Sequence, residues 1–95
     1  MSDEPYYIYV LHCADDSLYC GSTDNVTRRF HAHQTFKGAK YTRVKSRHPL
    51  QLIFQQEFAS KHDALSAEYH FKHQPRSKKL QYLAKHGVNI HHLSR

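Results

Sequence analysis

Ninety-five residues, 39% of them hydrophobic and 13% aromatic, suffice for one folded domain with a modest core and are too apolar for a disordered chain. No apolar run approaches the roughly 18 residues of a membrane span, and no secretory leader pattern opens the chain, so a soluble, cytoplasmic protein with no membrane partner is expected. The formal net charge of +6 is unevenly placed: residues 1–24 hold five acids and no Lys or Arg, whereas residues 25–95 hold all 14 Lys and Arg against Glu57, Asp63 and Glu68. That asymmetry points to a polyanionic partner, most often nucleic acid.

The stretch YYIYVLH (6–12) is rich in β-branched and aromatic residues and predicts a strand. ADDS (14–17) has turn chemistry, and LYCG (18–21) follows as a second strand, forming an antiparallel hairpin. Cys13 and Cys20, spaced C-x6-C, match no common zinc or redox pattern and are read as free thiols. Thr23, Asp24 and Asn25 are good N-caps for a helix over 25–33.

Residues 35–49 lack a clear period. They hold Lys37, Lys40, Arg43, Lys45 and Arg47 with Tyr41 among them, and are read as a basic loop. LQLIFQQEF (50–58) predicts a third strand. SKHD (60–63) is a capping-box pattern opening a helix to about residue 73, which Pro75 ends. Residues 77–87 read as a third helix closed by Gly87, and residues 88–95 as a loosely ordered tail. The expected fold is a single α+β domain, a three-stranded antiparallel sheet flanked by helices in the order β-β-α-β-α-α.

Three places break the hydrophobic pattern. Arg29 and His33, at i and i+4, lie beside Val26 and Phe30, where the first helix should face the core. Glu68 sits among Ala64, Leu65, Phe71 and Lys72 on the second helix. A carboxylate there needs a partner, either a cation such as Arg29 or a divalent metal that also takes water and substrate phosphates. Tyr7, Tyr9 and Tyr19 gather on the hairpin, where tyrosine is a good strand former and a phenol can also act as a base. Broken local rules concentrate at functional sites.

YIY (7–9), YCG (19–21) and TDNVTRRFHAH (23–33), in that order and spacing, resemble the GIY-YIG nuclease family. GAKYTR (38–43) and EFASKHDALSAEYHFK (57–72) are similar to its small YhbQ-like bacterial branch, and the resemblance covers residues 5–85. It implies a three-stranded antiparallel sheet and metal-dependent hydrolysis of phosphodiester bonds in DNA, structure-selective or weakly sequence-specific. Tyr9 and Tyr19 fall on the motif tyrosines, Arg29 on the family arginine, His33 on a histidine-or-tyrosine position, and Glu68 on the metal-binding glutamate. Glu68 would hold one Mg2+ or Mn2+ ion, and Arg29 would grip non-bridging phosphate oxygens. Tyr9, Tyr19 or His33 would take or orient the proton of the attacking water, a choice the sequence leaves open. Arg28, Lys37, Lys40, Arg43, Lys45 and Lys72 would contact flanking phosphates, and Gly21 would let the backbone turn closely into the cleft.

The chain departs from the family pattern at Tyr7, in place of glycine, at Cys20, in place of a β-branched residue, and at Ser22, where many members have lysine. Asn89 is the nearest candidate for the family's late asparagine. Most of the ten histidines are read as surface residues that gain charge as pH falls through about 6.5. The implied partner is DNA before RNA, with a further protein directing the domain to its substrate. The competing readings are a non-catalytic nucleic-acid-binding module and a small protein that binds metal through its histidines.

Overall fold

The computed structural model describes residues 4–91. Its elements are β1 (Tyr6–His12), β2 (Leu18–Thr23), α1 (Val26–Gln34), two 3-10 turns at Lys40–Arg43 and Lys45–Arg47, β3 (Gln51–Phe58), α2 (Lys61–Lys72) and α3 (Arg76–Lys85). The order is the expected β-β-α-β-α-α, and the three strands form one antiparallel sheet in the spatial order β2-β1-β3. No helix among the described residues is long and apolar enough to cross a membrane.

The central strand explains the architecture. Ile8, Tyr9, Val10 and Leu11 are all buried in succession, so β1 is covered on both faces. Side chains alternate along a strand. Ile8 and Val10 accordingly join Cys20, Ala64, Phe71 and Leu83 in a core beneath α2 and α3. Tyr9 and Leu11 join Cys13, Val26 and Leu50 in a second core beneath α1 and the 35–50 segment. Both cysteines are free and buried, one in each core. On β3, Phe54 pairs with Val10 and Leu52 with Leu11, leaving Ile53 as the extra residue of a bulge.

Local chemistry sets the helix ends. Asn25 is the N-cap of α1 and accepts a hydrogen bond from the Arg28 N–H, and Ser60 does the same for the Asp63 N–H at α2. Helices α1 and α3 end in the same way. The Lys37 N–H bonds the Ala32 carbonyl across a left-handed Phe36 (φ 64°), and the Val88 N–H bonds the Leu83 carbonyl across Gly87 (φ 91°). Gly87 therefore lies past the end of α3, which begins one residue earlier than expected, directly after Pro75.

The basic stretch expected as a loop contains the two 3-10 turns. Leu65 does not lie on the buried stripe of α2. Ala64 and Phe71 are buried against the sheet, and Leu65, one residue and about 100° round the helix, is 44% exposed. Of the terminal segment expected as a loose tail, Val88 and Ile90 pack against the first core, and residues 92–95 lie outside the described residues.

Candidate active site at the edge of the sheet

A buried polar chain crosses the second core. The Tyr9 hydroxyl lies 2.7 Å from His33 Nε2, and His33 Nδ1 lies 2.6 Å from Thr42 Oγ1. The Thr42 hydroxyl donates to the Ala39 carbonyl at 3.0 Å. His33 and Thr42 are completely buried, so the bond between them is made without competition from water. Burial, with help from the Arg29 and His48 charges, pushes the His33 imidazole down to about 4 and keeps it neutral near pH 7. Burial also drives the Tyr9 phenol well above its ordinary value, an effect that Arg29 beside it partly offsets.

Two glycines make room for this chain. A β-carbon on Gly21 would stand 2.5 Å from the Tyr9 hydroxyl oxygen, and one on Gly38 would collide with His33 Nδ1. Gly21 serves the close approach of a ring rather than the turn of the backbone that the sequence suggests, because it sits paired with Tyr9 inside regular antiparallel structure.

Tyr19 on β2 lies next to this chain. Its ring meets His33 edge-on at 5.3 Å and stacks on Tyr41 at 5.6 Å, while Lys72 Nζ stands 5.5 Å from its centroid. Tyr41 in turn carries the Arg47 guanidinium 3.8 Å above its ring, and Asp15 and the Tyr41 carbonyl hold Arg47 in place at 3.1 Å each. Burial raises the Tyr19 phenol, and the positive charges of Lys72 and Arg29 act in the opposite direction.

Strand β2 is an edge strand, and both α1 and α2 abut it. Arg29 approaches from the α1 side and Glu68 from the α2 side, and the charges of both reach Tyr9 and Tyr19. Glu68 has a cationic partner, but it is Lys72 one turn further along α2, at 2.8 Å, and not the Arg29 that the sequence suggests. The i, i+4 spacing makes that pair locally available. Burial pulls the Lys72 ammonium down, but the hydrogen bond and charge of Glu68 outweigh it and leave Lys72 above its ordinary value. The Glu68 side chain is 16% exposed. A single carboxylate of this kind is a donor set that suits Mg2+ or Mn2+, which keep waters and take substrate phosphates.

The remaining candidates divide. Lys37, Lys40, Arg43 and Lys45 are exposed along the segment between α1 and β3, with Arg43 Nε donating to the Gly38 carbonyl. Arg28 is exposed and ion-paired with Asp24 at 2.9 Å. The Lys72 side chain is partly exposed, paired with Glu68 and 5.5 Å from the Tyr19 ring centroid. Asn89 lines a groove along β3, the opposite edge of the sheet from β2. Among the described residues no three His, Cys, Asp or Glu side chains converge as metal ligands. Sequence reasoning misses Thr42, Gly38 and Tyr41 as members of the site; all three stand in the GAKYTR stretch, quoted above only for its resemblance.

A family model described as the GIY-YIG catalytic domain matches residues 5–81, spanning all the gathered residues from Tyr9 to Glu68. The chain belongs to the GIY-YIG family. It is a small bacterial member of the YhbQ-like branch. It is 66% identical to a UPF0213 protein of Limosilactobacillus reuteri over 95 residues, covering 100% of this chain and 99% of that one. A UPF0213 protein of Lactiplantibacillus plantarum is 60% identical over 85 residues, 90% of this chain and 84% of that one. The solution NMR structure of the UPF0213 protein BH0048 from Bacillus halodurans is similar with a TM-score of 0.59 at 41% identity, covering 87% of this chain and 86% of that one. That of EF2693 from E. faecalis gives 0.62 at 38% identity, over 100% and 95%. Tyr9 and Tyr19 stand on two paired strands within the matched stretch.

Proposed function

We propose that the protein is a divalent-metal-dependent endonuclease that hydrolyses phosphodiester bonds in DNA, structure-selective or weakly sequence-specific, acting in the cytoplasm and directed to its substrate by a partner protein. The observation that carries this reading is the Tyr9 hydroxyl lying 2.7 Å from a buried, neutral His33 imidazole, with Arg29 and Glu68 acting on the same phenol.

In-line displacement at phosphorus needs a proton acceptor for the attacking water and positive charge on the oxygens where charge builds. Tyr9, His33 and Tyr19 supply candidate acceptors on one side of β2. Arg29 supplies a planar donor fork for two non-bridging oxygens. Glu68 is the residue that would hold Mg2+ or Mn2+, which when bound polarises the phosphoryl oxygens and neutralises developing charge. Lys72 supports Glu68 in its absence, as a counter-charge that keeps a part-buried carboxylate satisfied. Lys37, Lys40, Arg43 and Lys45 give the flanking backbone a sequence-independent hold.

The Lys72–Glu68 ion pair favours one alternative, a nucleic-acid-binding module in which the lysine keeps the carboxylate to itself and no turnover occurs. Cleavage of labelled single-stranded, duplex, flapped and branched DNA separates the two, with magnesium or manganese against EDTA, RNA in parallel, and Glu68→Ala and Arg29→Ala alongside. Metal-dependent products lost in both variants support the nuclease. Salt-sensitive binding without products in either metal supports the module.

A further inference from the structure

A neutral histidine carries its proton on one nitrogen or the other, and its partners decide which. The Thr42 hydroxyl has one hydrogen, and the Ala39 carbonyl 3.0 Å away, which can only accept, is the partner that calls for it. Thr42 Oγ1 is therefore left to accept from His33 Nδ1, 2.6 Å away. With its proton on Nδ1, His33 keeps the Nε2 lone pair, and the Tyr9 hydroxyl 2.7 Å away donates to it. We propose that Thr42 is a positioning residue that fixes His33 as the Nδ1–H tautomer and so makes Tyr9 and His33 a two-part base. This rests on the nuclease reading above.

Thr42 is itself over-determined. Its side chain is completely buried. Its backbone carbonyl accepts a hydrogen bond from His48 Nε2 at 2.7 Å. The His48 ring stacks on Phe36 at 4.1 Å, and Phe36 is held in the left-handed region at φ 64°, a conformation a bulky residue adopts only when its surroundings enforce it. Gly38 completes the arrangement, since any side chain there would push the imidazole off Thr42. The short segment between α1 and β3 thus carries three devices that bear on one ring nitrogen.

In the proposed step the water oxygen bonds to phosphorus as the bond from phosphorus to the leaving oxygen breaks. One water proton passes to the Tyr9 oxygen while the Tyr9 proton passes to His33 Nε2, leaving an imidazolium. The leaving oxygen departs as an alkoxide and takes a proton from solvent. The charged and titratable groups facing His33 are Arg29 on its own helix, Tyr9 on β1, Tyr19 on β2 and His48 beyond Thr42. Arg29 opposes the imidazolium in the free protein, and a phosphate bound on Arg29 offsets that opposition, so proton acceptance becomes easiest when substrate is in place.

The test is 15N NMR of the histidine rings in the full chain, as wild type, Thr42→Ser and Thr42→Val, with steady-state cleavage of the best DNA substrate measured in parallel. We expect the Nδ1–H tautomer for His33 in wild type and Thr42→Ser. In Thr42→Val we expect that tautomer to be lost, with kcat lower by about tenfold or more and KM unchanged. Two results overturn the proposal: an Nε2–H tautomer in wild type, or Thr42→Val retaining both tautomer and kcat while losing only stability. If Thr42→Val fails to fold, the wild-type tautomer and a normal kcat in Thr42→Ser still decide. If wild type cleaves nothing in any metal, the nuclease reading and the base both fall, and the ring spectra still show whether Thr42 orients His33.

Discussion

The Tyr9 ring lies directly over Gly21, its register partner on β2, so closely that a β-carbon there would stand 2.5 Å from the phenolic oxygen and 2.7 Å from Cζ. The ring cannot move aside freely, because its hydroxyl is fixed on His33. Gly21→Ala therefore displaces Tyr9 or strains β2. Overpacking of this kind costs about 1–3 kcal/mol. The denaturant midpoint should fall accordingly, and nuclease activity should fall further than stability because the Tyr9–His33 bond is broken. A variant with wild-type midpoint and activity would show that the ring has room.

Stability should depend on pH through His33. Its imidazole is pushed down to about 4 in the folded chain, against about 6.5 when unfolded. Above pH 6.5 both states are neutral there and the full stability is present. Between 6.5 and 4 the unfolded chain binds a proton that the folded chain refuses, so stability is lost as pH falls, by about 3 kcal/mol in all. Urea denaturation at pH 7 and pH 4.5 checks this. His33→Gln should start from a lower midpoint and lose less of it on acidification than wild type does.

On the proposed reading, a divalent ion would have to compete with Lys72 for the Glu68 carboxylate that the lysine holds at 2.8 Å. Lys72→Gln should tighten Mn2+ binding by about fivefold, the scale of a partly exposed ion pair worth about 1 kcal/mol. Glu68→Gln should abolish it. Titration calorimetry with Mn2+ alone reads both, and equal affinity in wild type and Lys72→Gln would show that the ion pair does not guard the site.

DNA binding should be steeply salt-dependent and should draw on the exposed cations between α1 and β3. Each phosphate contact removed, as in Lys40→Ala or Arg43→Ala, should reduce the slope of log K against log salt by about 0.9 on duplex DNA. Arg28→Ala should change it less, because Asp24 already neutralises that guanidinium in the free protein. Anisotropy titrations across a salt series distinguish these outcomes.

The first strand is legible to the residue, since YYIYVLH offers no competing period and ends in turn chemistry. The α1 boundary is legible to within one residue because Asn25 caps it with its side chain. The candidate site is legible where a polar residue breaks an apolar face: Arg29, His33 and Glu68 stand out for that reason. Their partners are not legible. Glu68 could pair along its own helix or across the sheet, and only the packed structure selects Lys72. Thr42 sits in a stretch with no period, where threonine carries no pattern to break, and its importance comes from a nitrogen nine residues away. Gly38 reads as a loop marker because sequence cannot show a ring resting on it.

The two free thiols occupy different layers, Cys13 in the core beneath α1 and Cys20 in the core beneath α2 and α3. Burial raises both above their ordinary values, and it pushes Cys20 up to about 12, so neither reacts while its layer is closed. A thiol-reactive dye can label each only after the chain above it opens. The protein thus carries two built-in clocks, one timing the exposure of the Tyr9–His33 layer and the other the exposure of the Glu68 layer, and comparing their rates under native conditions reveals whether the sheet sheds its two coverings together or one at a time.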